Sequence, residues 1–120
     1  MRTGIVVFGH GSSVASANDA VRAVAEQAAR AGGWDLFETA FLECAPLLPQ
    51  AVQKLVDAGA ESVLVLPYFL TLGIHLKRDL PKLVGELEAA HGISIRVTPP
   101  LDGHPGLSGI LVARAQEALA

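Results

Sequence analysis

The sequence has few of the residues that mark several large classes of protein. It contains one cysteine, so no disulfide can form within the chain, which suits a reducing compartment such as the cytoplasm. Aromatic residues make up only 5% of the chain, which argues against the stacking surfaces of single-strand nucleic-acid binders. Basic residues are outnumbered by acidic ones, 9 to 12, so the chain lacks the positive face that phosphate backbones require. We therefore expect no nucleic-acid partner.

The sequence also lacks a long uninterrupted hydrophobic run. Its longest apolar stretch, residues 62–76, is broken by Pro67, Gly73 and His75. A membrane-spanning helix needs about 20 consecutive apolar residues, so no membrane span is expected. Residues 1–4 lead directly into a strand pattern without the features of a signal peptide, and we expect a cytoplasmic protein.

What the chain does contain is an alternation of short apolar runs and helical patterns. With 120 residues, half of them hydrophobic, it suits one domain covering residues 1–120. The patterns predict strands at 4–8, 34–42, 61–69 and 93–97, and helices at 18–31, 46–58, 77–90 and 106–119. Such a βαβαβαβα order predicts an α/β fold, a four-stranded parallel sheet flanked by helices in a flavodoxin-like three-layer sandwich.

Three of the predicted strands are followed by side chains that can bind metals or move protons. His10 follows the first strand, Glu43 the second, and His75 lies beyond the third. Ligands of open α/β sheets bind outside the carboxyl ends of the strands, so these groups are expected at one rim. Two imidazoles and a carboxylate suit a divalent metal or an acid–base role. Alternatively, His10 is only an exposed turn residue, and Glu43 only a favourable charge at a helix start.

Two loops carry groups suited to an acidic ligand. Ser12 and Ser13 follow His10 near a helix start, where free backbone amides favour anions. Lys77 and Arg78 lie where the third helix is expected to begin, against the helix dipole, and an acidic ligand would explain that placement. The alternative is a solvated helix start with Asp79 as its cap.

The remaining histidines and the cysteine receive structural interpretations. His91 precedes Gly92 at a helix end, where the helix dipole favours it. His104 could join the site, but its place before a helix fits a polar loop residue. Cys44 could be a soft metal ligand, although a small half-buried residue is the simpler interpretation.

Four segments together resemble one known family. They are residues 7–12, residues 41–43 with Pro46 and Pro49 after them, residues 65–75 with 79–81, and residues 100–105. The pairing of H-G-S with P-x-F-L-x-x-G-x-H-x-x-x-D-x-P is specific, whereas H-G-S alone is not. Over essentially its whole length, the sequence resembles the CbiX/SirB-type sirohydrochlorin chelatases in their short, single-domain form.

The resemblance implies an enzyme, a lyase that inserts Co²⁺, Ni²⁺ or Fe²⁺ into sirohydrochlorin with loss of two protons. It implies half of a class II chelatase fold, acting as a homodimer. His10 and His75 would handle the metal and accept protons, with Glu43 assisting. The macrocycle would contact an apolar segment, and its carboxylates the polar groups of both loops. The expected substrate-binding residues are Leu70, Thr71, Leu72, Gly73 and Ile74, with Ser12, Ser13, Lys77 and Arg78.

Two features known from relatives are absent from this sequence. It has neither a histidine-rich loop nor a cysteine cluster, so no permanently bound cofactor is expected and the metal remains a substrate. These absences leave open the choice among the three ions and hence the tetrapyrrole pathway. A carrier of tetrapyrrole or metal without turnover is an alternative, since the same residues would bind. A flavodoxin-like phosphate or nucleotide binder is another, although the loop at 9–13 lacks a phosphate-binding motif.

Overall fold

Strands and helices alternate along the chain in the order that the apolar runs predict. The computed structural model describes residues 2–120. The elements are β1 (Thr3–Gly9), α1 (Ala15–Gly32), β2 (Phe37–Phe41), α2 (Leu48–Asp57), β3 (Ser62–Pro67), α3 (Ile74–His91), β4 (Ser94–Val97) and α4 (Gly106–Leu119). The predicted α/β class is confirmed.

The four strands form one parallel sheet in the order β2-β1-β3-β4. The chain runs from β1 outward to β2 and then returns past β1 to β3, so the direction of winding reverses beside β1. Right-handed crossovers therefore place α1 on one face and α2 and α3 on the other. This reversal opens a crevice between the loops that follow β1 and β3.

The main core lies between the sheet and the pair α2 and α3. Every second residue of the central strands points to this side, including Val6, Phe8, Val63 and Val65. The helices meet them with apolar residues at helical spacing, buried at Leu48, Val52, Leu55, Leu80, Val84 and Leu87. On the opposite face, Ile5 and Val7 are buried on the side where Ala25 and Ala29 of α1 are also buried.

Several element boundaries differ from the sequence-based prediction. Strand β2 begins at Phe37 rather than at residue 34, because the Trp34 N–H continues the end of α1 by donating to the Ala29 carbonyl over 2.9 Å. Strand β3 ends at Pro67 rather than at 69, and α2 covers a shorter range than 46–58. Helix α1 starts three residues before the predicted position, and so does α3. The bounds of α4 agree with the prediction.

Helix α4 is unlike the other three because it packs on neither face of the sheet. None of its residues is buried, and Leu111 and Leu119 are 72% and 86% exposed. The molecule is correspondingly elongated, measuring 52 × 33 × 28 Å. No helix within residues 2–120 has the length and apolar composition needed to cross a membrane.

Two adjacent leucines at the start of α2 provide a test of the core. Leu48 is 1% exposed inside the main core, whereas Leu47 is 42% exposed. We expect Leu48→Ala to lower the free energy of unfolding by about 2–5 kcal/mol, because it leaves a cavity. Leu47→Ala should change it by less than about 1 kcal/mol. Urea unfolding at one fixed protein concentration measures both, and equal losses would contradict this description of the core.

Candidate metal and proton-transfer site

The candidate site lies at the carboxyl edge of the sheet, with His10 at its centre. His10 directly follows β1, which has a strand on each side. Its side chain is 58% exposed at this edge. The loop after β2 therefore lies on one side of this imidazole and the loop after β3 on the other.

Glu43 reaches His10 because the pairing of β1 with β2 continues past the strand ends. The register places Gly9 opposite Phe41. Beyond it, Leu42 N–H donates to the Gly9 carbonyl and Glu43 N–H to the His10 carbonyl, each over 3.0 Å. The Glu43 Oε1 then lies 3.5 Å from the His10 Nε2. The structure thus brings together two of the three predicted groups.

Phe69 occupies the other side of His10. Phe8 lies opposite Pro67, and Tyr68 N–H donates to the Phe8 carbonyl over 2.7 Å, so Phe69 falls beside His10. The two ring centroids are 6.3 Å apart in an edge-on arrangement, and Phe69 also lies 5.8 Å from Phe8. The sequence analysis missed this neighbour. Aligning β1 with β3 and extending the register past the strand ends would have placed Phe69 next to His10.

The hydrogen bonding of His10 fixes which of its nitrogens is available. Its Nδ1 lies 3.0 Å from the Gly11 carbonyl oxygen. A carbonyl only accepts, so Nδ1 carries the proton in this contact. In this tautomer a neutral ring has no proton on Nε2, and a proton added there would face the Glu43 carboxylate at 3.5 Å. An imidazole held in this tautomer can bind a metal ion or accept a proton through Nε2.

The loop after β1 is fixed by close packing against the loop after β2. Gly11 has a φ of +88°, and a Cβ built there would lie 2.8 Å from the Cys44 Sγ. Asn18 bridges the loop, accepting from Ser12 N–H and donating to the Ser12 carbonyl, both over 2.9 Å. Its Nδ2 also lies 3.5 Å from the Cys44 Sγ. Asn18 is a second residue that the sequence analysis missed, and its side chain positions the loop.

In the part of the chain that the structure describes, His75 forms no hydrogen bond or ion pair with His10 or Glu43. Helix α3 begins at Ile74 with Gly73 as its N-cap, and Lys77 N–H closes the first turn onto the Gly73 carbonyl. His75 therefore lies in the first turn of α3 and not in the preceding loop. Its Nδ1 faces the Arg78 Nη2 at 3.4 Å. Within residues 2–120, no group of three or more His, Cys, Asp or Glu side chains is arranged to hold a metal.

The predicted substrate-binding residues are distributed around the β3–α3 connection and the β1 loop. Leu70 and Ile74 are 65% and 82% exposed, which is unusual for large apolar side chains. Beside them lies a concavity of about 270 Å³, lined by Thr71, Leu72, Lys77, Pro100 and Asp102.

The polar groups expected to bind an acidic ligand differ in whether they already have a partner within the protein. Ser13 is exposed, whereas the Ser12 hydroxyl oxygen accepts from Val14 N–H over 3.0 Å. Arg78 is paired with Asp79 over 3.0 Å. Asp79 lies inside α3, whose N-cap is Gly73, so it is not the helix cap that one interpretation assumed.

The other singled-out residues have local structural partners. His104 Nδ1 accepts from Gly106 N–H over 2.9 Å at the start of α4. His91 is the last residue of α3. Cys44 is half-buried against the β1 loop. These contacts agree with the structural interpretations of all three residues.

Known proteins resemble this chain over nearly its whole length. The family model CbiX matches residues 4–118. The sirohydrochlorin cobaltochelatase of Methanopyrus kandleri is 37% identical over 82 residues, covering 68% of this chain. That match spans only 57% of the length of the Methanopyrus protein.

Two solved structures share the fold. A CbiX protein of Marinobacter aquaeolei VT8 is 30% identical, with a TM-score of 0.84 over 98% of this chain and 97% of its own. The sirohydrochlorin chelatase SirB of Bacillus subtilis, solved in complex with cobalt, is 27% identical with a TM-score of 0.76. That match covers 84% of this chain and 44% of SirB. By its sequence and its fold, this chain belongs to the CbiX family.

Proposed function

We propose that the protein is a sirohydrochlorin chelatase, a lyase that inserts a divalent metal ion into the tetrapyrrole. The reaction forms bonds from the metal to four pyrrole nitrogens and releases two N–H protons. One observation carries the proposal. In a member of the CbiX family, a histidine with its Nε2 free faces a carboxylate at 3.5 Å, at the carboxyl edge of the sheet and beside the crevice where the winding reverses.

His10 and Glu43 suit the release of the two protons. Imidazole and carboxylate both accept protons near neutral pH, and general-base groups must reach the proton they remove. Both side chains are more than half exposed, so a flat macrocycle laid on this edge can approach them. In this proposal, His10 Nε2 binds the incoming ion or takes a pyrrole proton, and Glu43 takes or passes on the second.

His75 is proposed as the second metal-handling histidine. It lies in the first turn of α3, directly after the β3–α3 connection, with its side chain exposed. A site that does not enclose the ion with a full set of ligands can release it, whereas a closed four-ligand site retains it. Within residues 2–120 no third His, Cys, Asp or Glu side chain joins His10 and Glu43 to enclose an ion, and this arrangement suits transfer of the ion better than storage.

The exposed apolar segment from Leu70 to Ile74 supports the choice of a large, flat, mostly apolar ligand. Leu70 and Ile74 present side chains that would otherwise be buried, next to the concavity that Lys77 lines. We propose that these residues contact the macrocycle. Lys77, Arg78 and Ser13 would meet its peripheral carboxylates, because exposed cations and hydroxyls bind such groups directly.

We propose that cobalt is the metal inserted. We also propose that the active enzyme is a cytoplasmic homodimer. The Methanopyrus relative is named a cobaltochelatase, and SirB was solved with cobalt. The match to SirB covers 44% of that longer chain, which suits two copies of the present chain doing the work of one long chain. With cobalt, the pathway would be that of cobalamin, while Ni²⁺ and Fe²⁺ are the alternatives.

Replacement of either histidine tests the proposed reaction. We expect His10→Ala and His75→Ala each to lower the rate of Co²⁺ insertion by about 10²-fold or more, since a positioned acid–base group contributes about 10²–10⁴-fold. His91→Ala, at the far end of α3, is the matched control and should keep the wild-type rate. Absorbance spectra of sirohydrochlorin follow the reaction. Wild-type rates in both site variants would refute the assignment, and saturable binding without turnover in the wild type would identify a carrier.

The conformation of the β1 loop can be tested at Gly11. A methyl group at this position would collide with the Cys44 side chain, and the positive φ is unfavourable for alanine. Gly11→Ala should therefore displace the loop that holds His10. We expect insertion to slow at least about tenfold, as small displacements of catalytic groups do. Gly85→Ala in α3, where a Cβ meets nothing within 4 Å, is the control and should remain fully active. Equal activity of the two variants would show that the loop position is unimportant.

Competition between metals tests the choice of ion. With Co²⁺, Ni²⁺ and Fe²⁺ at equal concentrations under anaerobic conditions, we expect cobalt-sirohydrochlorin to accumulate fastest. The three products are separated by their absorbance and mass spectra. Faster accumulation of another product would correct the metal while leaving the chelatase assignment intact.

A further inference from the structure

Asn18 is an unusual residue for its place in α1. It lies in the first turns of the helix, where asparagine is less favourable than alanine because its amide competes for backbone hydrogen bonds. Helical side chains point back toward the helix N-terminus, so the Asn18 amide reaches the loop that precedes α1. There it is half-buried and bonds to both backbone groups of Ser12. The Asn18 side chain therefore serves the loop rather than the helix.

The two contacts with Ser12 determine which way the Asn18 amide faces. The Ser12 N–H can only donate a hydrogen bond and the Ser12 carbonyl can only accept one. The Asn18 Oδ1 therefore lies 2.9 Å from the Ser12 nitrogen, and the Asn18 Nδ2 lies 2.9 Å from the Ser12 oxygen. A reversed amide would oppose two donors and two acceptors. The second hydrogen of Nδ2 is left for the Cys44 Sγ at 3.5 Å, in the loop that carries Glu43.

The Ser12 N–H that Asn18 holds belongs to the same peptide unit as the Gly11 carbonyl. A peptide is planar, and in the trans form its N–H and C=O point in opposite directions. Fixing the N–H thus fixes the direction of the carbonyl, whose oxygen lies 3.0 Å from His10 Nδ1. Gly11 itself restricts this peptide little, because it has no Cβ. A continuous path of hydrogen bonds therefore runs from the Asn18 side chain to the imidazole of His10.

Two acceptors compete for the single ring proton of a neutral His10. The Gly11 oxygen lies 3.0 Å from Nδ1, and the Glu43 Oε1 lies 3.5 Å from Nε2. A carboxylate is the stronger acceptor, but this one is exposed to water and lies beyond the usual N–H···O distance of about 2.7–3.2 Å. The proton is therefore held at Nδ1 as long as the Gly11 carbonyl keeps its direction.

We propose that Asn18 is a positioning residue for His10. By holding the Gly11–Ser12 peptide, it keeps the imidazole proton on Nδ1 and leaves Nε2 able to bind the metal ion or accept a pyrrole proton. Hydrogen bonds in a chain polarise one another, so the Asn18 contact also strengthens the bond at Nδ1. Which ring nitrogen of a histidine binds a ligand is set by the hydrogen bond that the other nitrogen makes. The inference rests on the role proposed for His10, but the tautomer can be measured without any metal insertion.

Nuclear magnetic resonance measures the tautomer directly. Spectra that correlate the ring nitrogens with the carbon-bound ring hydrogens distinguish a protonated from an unprotonated nitrogen, and His10→Ala identifies the His10 signals. At about pH 8.5, where imidazole side chains are mostly neutral, the wild type should carry the proton on Nδ1. In Asn18→Ala the proton should move to Nε2, beside Glu43. A wild type with the proton on Nε2, or an unchanged tautomer in Asn18→Ala, would overturn the proposal.

Kinetics separate the positioning of His10 from substrate binding and from packing. Asn18→Leu keeps the approximate shape of asparagine but has neither donor nor acceptor. We expect Asn18→Ala and Asn18→Leu each to lower kcat for Co²⁺ insertion about tenfold, with the KM of sirohydrochlorin within about twofold of the wild type, since Asn18 acts on His10 and not on the substrate. Asp19→Ala removes an exposed side chain from the same turn of α1, and as the matched control it should keep both kcat and the tautomer.

The outcomes distinguish failure of this inference from failure of the chelatase assignment. A wild-type kcat in Asn18→Leu would show that the side chain only fills space, and would overturn the proposal. A raised KM with unchanged kcat would place Asn18 in substrate binding and overturn it as well. If the wild type inserts no metal, the chelatase assignment fails, while the tautomer spectra still support or overturn the effect of Asn18 on His10.

Discussion

The candidate site depends on one constraint, the parallel pairing of β1 with a strand on each side. Backbone hydrogen bonds continue this pairing beyond the strand ends, from Leu42 and Glu43 to the β1 side and from Tyr68 to Phe8. They determine that the residue after β1 meets a carboxylate on one side and an aromatic ring on the other. The site geometry is thus a property of the backbone register. It does not require a strong attraction between the side chains themselves.

The weakness of the His10–Glu43 contact is consistent with a site that must exchange its ligands. Both side chains are exposed, 58% and 63%, and pairs of this kind contribute little to stability because water competes for them. The fold is held by the buried residues around Phe8, Val52 and Val65. Since the His10 and Glu43 side chains are not needed for the fold, binding of a metal ion or a proton can separate them without disturbing the sheet.

The sequence predicted the architecture well and the site only in part, for identifiable reasons. Apolar runs show where strands lie, and their alternation with helices determines a parallel sheet, but they do not show register. Phe69 was therefore expected only as an apolar residue of a strand end, although it lies against His10. His75 was expected in a loop because polar residues follow Gly73, whereas the backbone is already helical at Ile74. Its partner, Arg78, is one helical turn away. The predicted helix began three residues too late, so the sequence analysis did not place the two side chains on the same turn.

Helix α4 shows what apolar periodicity can and cannot specify. Its bounds agreed with the prediction, because helix formation depends on local composition and on Pro105 before it. Where it packs did not follow from the pattern, since a helix with apolar residues on nearly every side indicates no preferred neighbour. Only the structure adds the second fact, that Leu64 and Leu66 remain half-buried on the same chain. Two apolar surfaces of one chain are thus held apart by a hydrogen-bonded connection, and the local pattern that forms the helix does not bring them together.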